Sequence, residues 1–390
     1  MPSSPRRDVF EPDVVGIYHC YNRCSQRAFL CGFDPLTQTD FSHRKEWIRN
    51  GLKSLAASMA VDVLDYAVMD NHFHVVLRNR PDLVAGWSDE EVARRWWLTC
   101  PQRRDAAGNP AEISPLELKA MLADQEAIED YRGRLSNISW LMRLLCQPVS
   151  CRANKESDVT GRFFAHRFGC ERILDMAGLL ACSMYVDLNL VRAGMAATPE
   201  ESEYTSACDR IRARMRRQRQ DLGQDATPSV SAESPDAWLA PLFLDERTDA
   251  YVDDEASAAK SEPLSDPAAV VARKSQVARQ LGMGNPLGAP RVSEKGFLPM
   301  TLEEYLQLLD WTGREIRADK RGAIPADLQP ILERLQVQPD RWIDTVCHYE
   351  HSGACCSRPG SPTLRASAPH PSPLLPALRP SRPLRFHLPF

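Results

Sequence analysis

The chain lacks any run of the roughly 18 apolar residues that a membrane-spanning helix needs. Its opening stretch MPSSPRRDVFEPD carries positive charge with no apolar segment behind it, so neither a membrane span nor a secretory leader is expected. Paired metal-ribbon spacing is missing too. Twelve cysteines are scattered over 390 residues, Cys20 and Cys24 stand without a second pair, and Cys355 and Cys356 are adjacent. That usage argues against a zinc ribbon and for reduced thiols in the cytoplasm. Charge of one sign is not in excess either: 48 Lys and Arg face 52 Asp and Glu, a net of −4. Such a balance argues against a protein that coats duplex nucleic acid by charge alone.

The balanced total hides local bias. Residues 131–172 hold eight Lys and Arg against three Asp and Glu, and RIRARMRRQR at 210–219 contains six arginines. Residues 221–266 swing the other way, with twelve acidic side chains against two basic ones. At this length two domains joined by linkers are the expectation.

Hydrophobic periodicity organises the first half. GIYHCYNRC (16–24) reads as a strand with Ile17, His19 and Tyr21 on one side and Tyr18, Cys20 and Asn22 on the other. Residues 42–60 carry Trp47, Ile48, Leu52, Leu55 and Met59 at helical spacing. VDVLDYAVM (61–69) and HFHVVLR (72–78) read as a hairpin across the turn DN. Residues 79–134 read as an insertion with helices at 88–98 and 116–135. A helix over 136–155 with Ser136 as N-cap follows, then RFFAHRFGCERI (162–173), extended in its second part, then a helix over 175–194 capped by Asp175 and stopped by Gly194. Without the insertion the order is strand, helix, hairpin, helix, strand, helix. This predicts an α+β fold of the ferredoxin-like α/β plait type, an antiparallel sheet with helices on one face and a further C-terminal helix.

The domain expectation is therefore a catalytic-type unit over 1–219 and an acidic flexible linker over 220–290 with a short ordered piece around AWLAPLFL. A helical accessory region over 291–350 follows, in which Thr301 with Glu303 and Glu304 opens a helix. From His351 onward forty residues hold nine prolines, five arginines and no acid. This tail, 351–390, reads as disordered, and its abruptness suits a shifted frame or a decayed end.

Chemistry-bearing residues concentrate in two places. His72 and His74 are two apart on a strand, so both project to one face while Phe73, Val75 and Leu77 project to the other. They can hold one divalent ion, or be half-buried and hydrogen-bonded only. Tyr185 and Asn189, at i and i+4 on a helix, share a face. If that face lies over the sheet, Asn189 offers an oxygen to the same ion and Tyr185 stands beside it; otherwise Tyr185 is a core aromatic. Arg143, Arg152, Lys155, Arg162 and Arg167 are candidates for phosphate contact and Phe163 and Phe164 for base stacking, against the alternative of an ordinary solvated face. The run at 210–219 offers non-specific phosphate contact or pairing with the acidic linker.

GIYHCYNRC, DYAVMDNHFHVVL, GRFFAHRF, ACSMYVDLNLVRAGM and PEESEYTSA occur in that order. Together they resemble the HUH-type single-tyrosine transposases, specifically the REP-associated tyrosine transposases and insertion-sequence 200-like enzymes. The resemblance spans residues 16–78 and 136–206, about a third of the chain. It implies a metal-dependent tyrosine transposase that cleaves and rejoins single-stranded or hairpin DNA, with Tyr185 as nucleophile and Mg²⁺ or Mn²⁺ on His72, His74 and Asn189. A 5′-phosphotyrosine intermediate and a free 3′-hydroxyl are implied likewise. A monomer or homodimer, cytoplasmic and nucleoid-associated, fits that family. Two departures stand out: Leu190 follows Asn189 where relatives usually carry proline, and Ala165-His166 replaces acidic or small residues. With the odd tail they motivate an alternative, a DNA-hairpin-binding protein that has lost its chemistry. Residues 296–328 resemble an accessory region of long family members.

Overall fold

A computed structural model describes residues 10–25, 31–35, 37–106, 108–221, 234–244, 289–315 and 320–334. Its centre is a four-stranded antiparallel sheet of β1 (Gly16–Arg23), β4 (Val61–Val68), β5 (His72–Asn79) and β6 (Gly169–Ile173), in the order β4-β5-β1-β6. A two-stranded ribbon, β2 (Phe33–Asp34) with β3 (Thr39–Asp40), lies outside it. Because side chains alternate across a pleated strand, Tyr18, Cys20, Phe73, Val75 and Leu77 enter one apolar cluster. Val76 and Leu64 enter a second cluster on the opposite face. The register slips between Val63 and Asp65. This bulge turns Leu64 and Asp65 toward the second face together, since Leu64 packs there and Asp65 bonds to a helix lying on it. The fold is thus mixed α+β and compatible with an α/β plait.

The first face is covered by α1 (Arg44–Ser58) and α6 (Ile138–Glu156), which bury Ile48, Leu52, Leu141 and Leu145 against it. The stretch read as an insertion joins the same cluster through α2 (Pro81–Ala85), α3 (Asp89–Thr99), α4 (Pro115–Leu122) and α5 (Gln125–Leu135), with Val92, Trp96, Ile128 and Leu135 buried. Two local expectations are corrected. The helix expected over 116–135 is broken at Ala123–Asp124, because the Asp124 carboxylate accepts from Ala127 N and so starts a new helix. The cap of α6 is Asn137, whose side chain accepts from Ser139 N and Trp140 N, not Ser136.

The second face is covered by α7 (Met176–Asp187), its continuation α8 (Asn189–Arg192), α9 (Ser206–Asp221) and α10 (Leu302–Arg314), through Leu180, Met184, Ile211, Tyr305 and Leu309. Asp175 caps α7 by accepting from Gly178 N, and Gly194, at φ 70°, turns the chain out of α8. Buried polar contacts fix α7 in place. Ser183 Oγ donates to Asp65 Oδ2 at 2.6 Å, Ser206 Oγ donates to Asp187 Oδ1 at 2.5 Å, and Tyr305 Oη donates to Asp187 Oδ2 at 2.6 Å. Burial in this network pushes Asp187 up to about 7. The ordered piece expected near AWLAPLFL docks at the sheet edge, Ala240 N donating to Val63 O. A short bridge pairs Phe243 with Leu298. Chain beyond 290 therefore shares the core of α7. Within 291–350 the described part ends at α11 (Ile331–Arg334), and the remainder of that region and the 351–390 tail lie outside the described residues. No helix among the described residues is long and apolar enough to cross a membrane.

Candidate active site

The face beneath α7 carries histidine, tyrosine and arginine because strand parity and register stack them. On β5, His72 and His74 share that face, and opposite them on β1 stand Arg23 and Tyr21. His19 shares β1's parity with both and meets His74, their ring centroids 5.1 Å apart. The His72 and His74 rings are 5.0 Å apart. Over them α7 brings Tyr185, whose ring centre is 5.4 Å from His74 and 6.1 Å from His19. The helix can do this because Leu180, Ser183, Met184 and Asp187 are buried against the sheet and neighbouring helices, leaving Tyr185 on the flank, 44% exposed. Asn189, one turn on, stands beside the phenol.

Burial dominates the electrostatics. It drives His19 and His72 down to about 4 and His74 well below the usual histidine value, with Arg23 and Lys320 adding cationic repulsion at His72 and His74. All three rings are therefore neutral near pH 7, the state in which an imidazole can ligate a metal. Desolvation raises the Tyr185 phenol, while the Asn189 carboxamide and the Arg23 cation pull it back in part. The phenol stays protonated near neutrality.

Hydrogen bonding leaves particular atoms over. His72 Nδ1 meets Asn71 Oδ1 at 2.6 Å, and His19 Nε2 meets His74 Nδ1 at 3.0 Å. Among the described residues His74 Nε2 and Asn189 Nδ2 are buried without partners. No group of three or more His, Cys, Asp or Glu among the described residues could hold a metal ion. Of the two unpartnered atoms only the imidazole nitrogen His74 Nε2 could ligate a cation; Asn189 Nδ2 is an N–H donor, so Asn189 could contribute to such a site only through its amide oxygen. A groove of ≈ 340 Å³ runs beside Tyr185 between α7 and α10, lined by Leu180, Met184 and Leu308 and bordered by Asn189, Arg192 and Lys320.

Of the residues expected to bind DNA, those on α6 are placed away from Tyr185, whereas the loop that carries Arg162 and Arg167 runs beside Arg23, Ala165 N donating to Arg23 O. Arg143 and Arg152 lie exposed on α6, 4.9 Å over the Trp140 ring and 3.9 Å over the Trp47 ring, and Lys155 is exposed on the same helix. That helix covers the sheet face opposite Tyr185. Arg162 and Arg167 are exposed on the loop before β6. Base stacking by Phe163 and Phe164 is corrected: they are only 3% and 9% exposed, packed on each other and on Phe73 in the first apolar cluster. The arginine run at 210–219 is also largely committed internally. Arg210 is buried and donates to Leu64 O and Ala240 O, while Arg212 pairs with Glu203, Arg214 with Glu303 and Arg217 with Asp236.

Sequence reasoning missed His19, Arg23 and Lys320 as site residues. For His19 and Arg23 the signal was strand parity with Tyr21, but only the β1–β5 register shows that this parity faces the histidine pair. Nothing local marks Lys320, which reaches the site through the long-range path of the accessory segment.

No family model matches the chain, and no curated protein matches it. Among solved structures, one of a REP-associated tyrosine transposase bound to a REP hairpin aligns with 56% of this chain and 86% of that chain, at 9% identity and a TM-score of 0.28. At that TM-score the likeness fixes neither the fold nor the function of this chain.

Proposed function

We propose that this chain is a DNA strand-cleaving and strand-joining enzyme of the tyrosine transposase kind, built on a ferredoxin-like plait, with Tyr185 as nucleophile. The observation that carries this reading is the convergence of a helix-borne phenol, 5.4 Å between ring centres, on a buried histidine whose Nε2 has no partner among the described residues. His72, His74 and Asn189 would hold a divalent cation, Mg²⁺ or Mn²⁺. When bound, it would polarise the scissile phosphate and offset charge in the transition state.

The remaining work falls to side chains of this protein. The Tyr185 oxygen attacks phosphorus, the phosphorus–O3′ bond breaks, and the phenol proton ends on the departing 3′-oxygen. The product is a 5′-phosphotyrosine and a free 3′-hydroxyl. Reversal by another 3′-hydroxyl rejoins strands with no other energy source, since the phosphodiester energy is kept in the tyrosyl link. Asn189 and the Arg23 cation favour the ionised phenol against the opposing effect of burial. Arg23 and Lys320, which have no ion-pair partner among the described residues, supply positive charge beside the histidines for a phosphate backbone. A single strand or hairpin end, with its backbone exposed, suits a phenol seated between helix and sheet.

The reading is tested with purified full-length chain, Mn²⁺ and labelled single-stranded hairpin oligonucleotides from the gene's own flanks. The expected result is a protein-linked DNA product on a denaturing gel that disappears in Tyr185→Phe. Equal cleavage by Tyr185→Phe would show that the nucleophile lies elsewhere. Leu190, the departure from the family pattern, is 5% exposed in the core of α7 and α8. Hairpin binding without cleavage at any metal concentration would favour the alternative of a binding protein that has lost its chemistry.

A further inference from the structure

His19 and His74 meet nitrogen to nitrogen, His19 Nε2 at 3.0 Å from His74 Nδ1, with nearly parallel rings. Between two neutral imidazoles, one nitrogen must donate and the other accept. If His19 donates, His74 carries its hydrogen on Nε2, which is buried with no partner among the described residues. A stranded N–H of that kind is what folded proteins avoid. If His74 Nδ1–H donates instead, Nε2 keeps a free lone pair, and His19 places its own hydrogen on Nδ1, which is not among the buried unpartnered atoms. The neighbouring ring is arranged alike. His72 Nδ1 lies 2.6 Å from the Asn71 side-chain oxygen, an acceptor that requires a hydrogen on Nδ1 and leaves Nε2 as the lone pair.

We propose that His19 is a positioning residue: by accepting the Nδ1–H of His74 it fixes the tautomer and ring orientation in which His74 Nε2 can ligate a cation. Ligand histidines are commonly held through their second nitrogen, and loss of that partner weakens the metal site. Here the partner is an imidazole from the adjacent strand, set in place by the β1–β5 register. The inference rests on the cation site of the proposed function, whereas the tautomer itself does not.

The test uses full-length protein labelled with ¹⁵N, its imidazole nitrogens read by long-range proton–nitrogen correlation and the His74 signals assigned by their loss in His74→Gln. In the wild-type protein His74 is expected with hydrogen on Nδ1 and none on Nε2. His19→Leu should shift it toward the Nε2–H form with an otherwise preserved amide spectrum, and His19→Gln, whose side-chain oxygen accepts, should restore the wild-type pattern. Mn²⁺ affinity, followed by electron paramagnetic resonance, should fall about 10-fold or more in His19→Leu and recover in His19→Gln. A wild-type His74 with hydrogen on Nε2 overturns the proposal. So does a wild-type protein that binds Mn²⁺ no better than His19→Leu does. Absence of any Mn²⁺ binding by the wild-type protein would instead overturn the cation reading, and the nitrogen spectra would still decide the tautomer.

Discussion

Tyr305→Phe isolates one contact between the C-terminal helix α10 and the helix that carries Tyr185. The hydroxyl donates to Asp187 Oδ2 at 2.6 Å, and neither residue has measurable exposure. Phenylalanine keeps the ring and removes only the donor. Asp187 would retain Ser206 Oγ and Ala207 N on its other oxygen. The cost depends on the charge of Asp187. Burial lifts this carboxyl from its ordinary value to about 7, so between about 4 and 7 the folded state binds more protons than the unfolded chain. Its contribution to stability is then fully present at acid pH and is lost as pH rises through 7. The Tyr305 hydroxyl opposes that loss because it favours the carboxylate. Near pH 5.5 the substitution removes a bond to a neutral acid, about 1 kcal/mol; near pH 8.5 it removes a charge-assisted bond, about 2–3 kcal/mol. Urea unfolding followed by tryptophan fluorescence at both pH values reads the difference directly. For a unit of this size each kcal/mol corresponds to roughly 2–4 °C in Tm. A gap between wild-type and variant that stays flat or narrows as pH rises would refute the reasoning.

Three further outcomes are expected. Arg210→Met should destabilise by about 3–5 kcal/mol in urea unfolding, because it strands the buried Asp65 carboxylate and two carbonyls that Arg210 serves; Asp65→Asn in the same chain should recover part of the loss. Phe164→Ala should cost about 3–5 kcal/mol of stability while the folded variant binds hairpin DNA within about twofold of wild type by fluorescence anisotropy, since the ring is core and not a stacking platform. Arg23→Gln and Lys320→Gln should each weaken single-strand binding and lower the salt dependence of log Kd by about 0.7, whereas Arg152→Gln, on the opposite sheet layer, should change it less.

Local pattern was enough for the four strands of the main sheet and for several helices, whereas the β2–β3 ribbon, α2 and α9 were not expected. Alternation placed Ile17, His19 and Tyr21 on one face of β1 and His72 with His74 on one face of β5, because side-chain period along a strand is a property of the backbone. The i, i+4 spacing likewise set Tyr185 and Asn189 on one flank and Asp175 marked the start, although the helix expected over 175–194 is interrupted at Leu188, so that Tyr185 lies on α7 and Asn189 on α8. Composition alone did not separate a surface arginine from a buried one. Arg210 and Arg219 look alike in the string, yet one is sealed under the sheet edge by carbonyls that arrive from residues 64 and 240. Phe163 and Phe164 misled for the same reason: an aromatic pair in a basic stretch reads as a stacking surface until the first-face core is seen to close over it.

Tertiary structure alone decided which faces meet. That α7 lies on the histidine side of the sheet follows from the bulge at Asp65, the Ser183 and Asp187 contacts, and the apolar residues contributed from beyond position 290. These pairings join residues more than 100 positions apart, and no periodicity within one segment encodes its partner. The amino-acid order thus determined the phenol, the imidazoles and the strand or helix that bears each, since those depend on neighbours a few residues away. Bringing His19 onto His74, Tyr185 over both, and Lys320 to their edge required the assembled core, because distance in space is set by what packs between the segments.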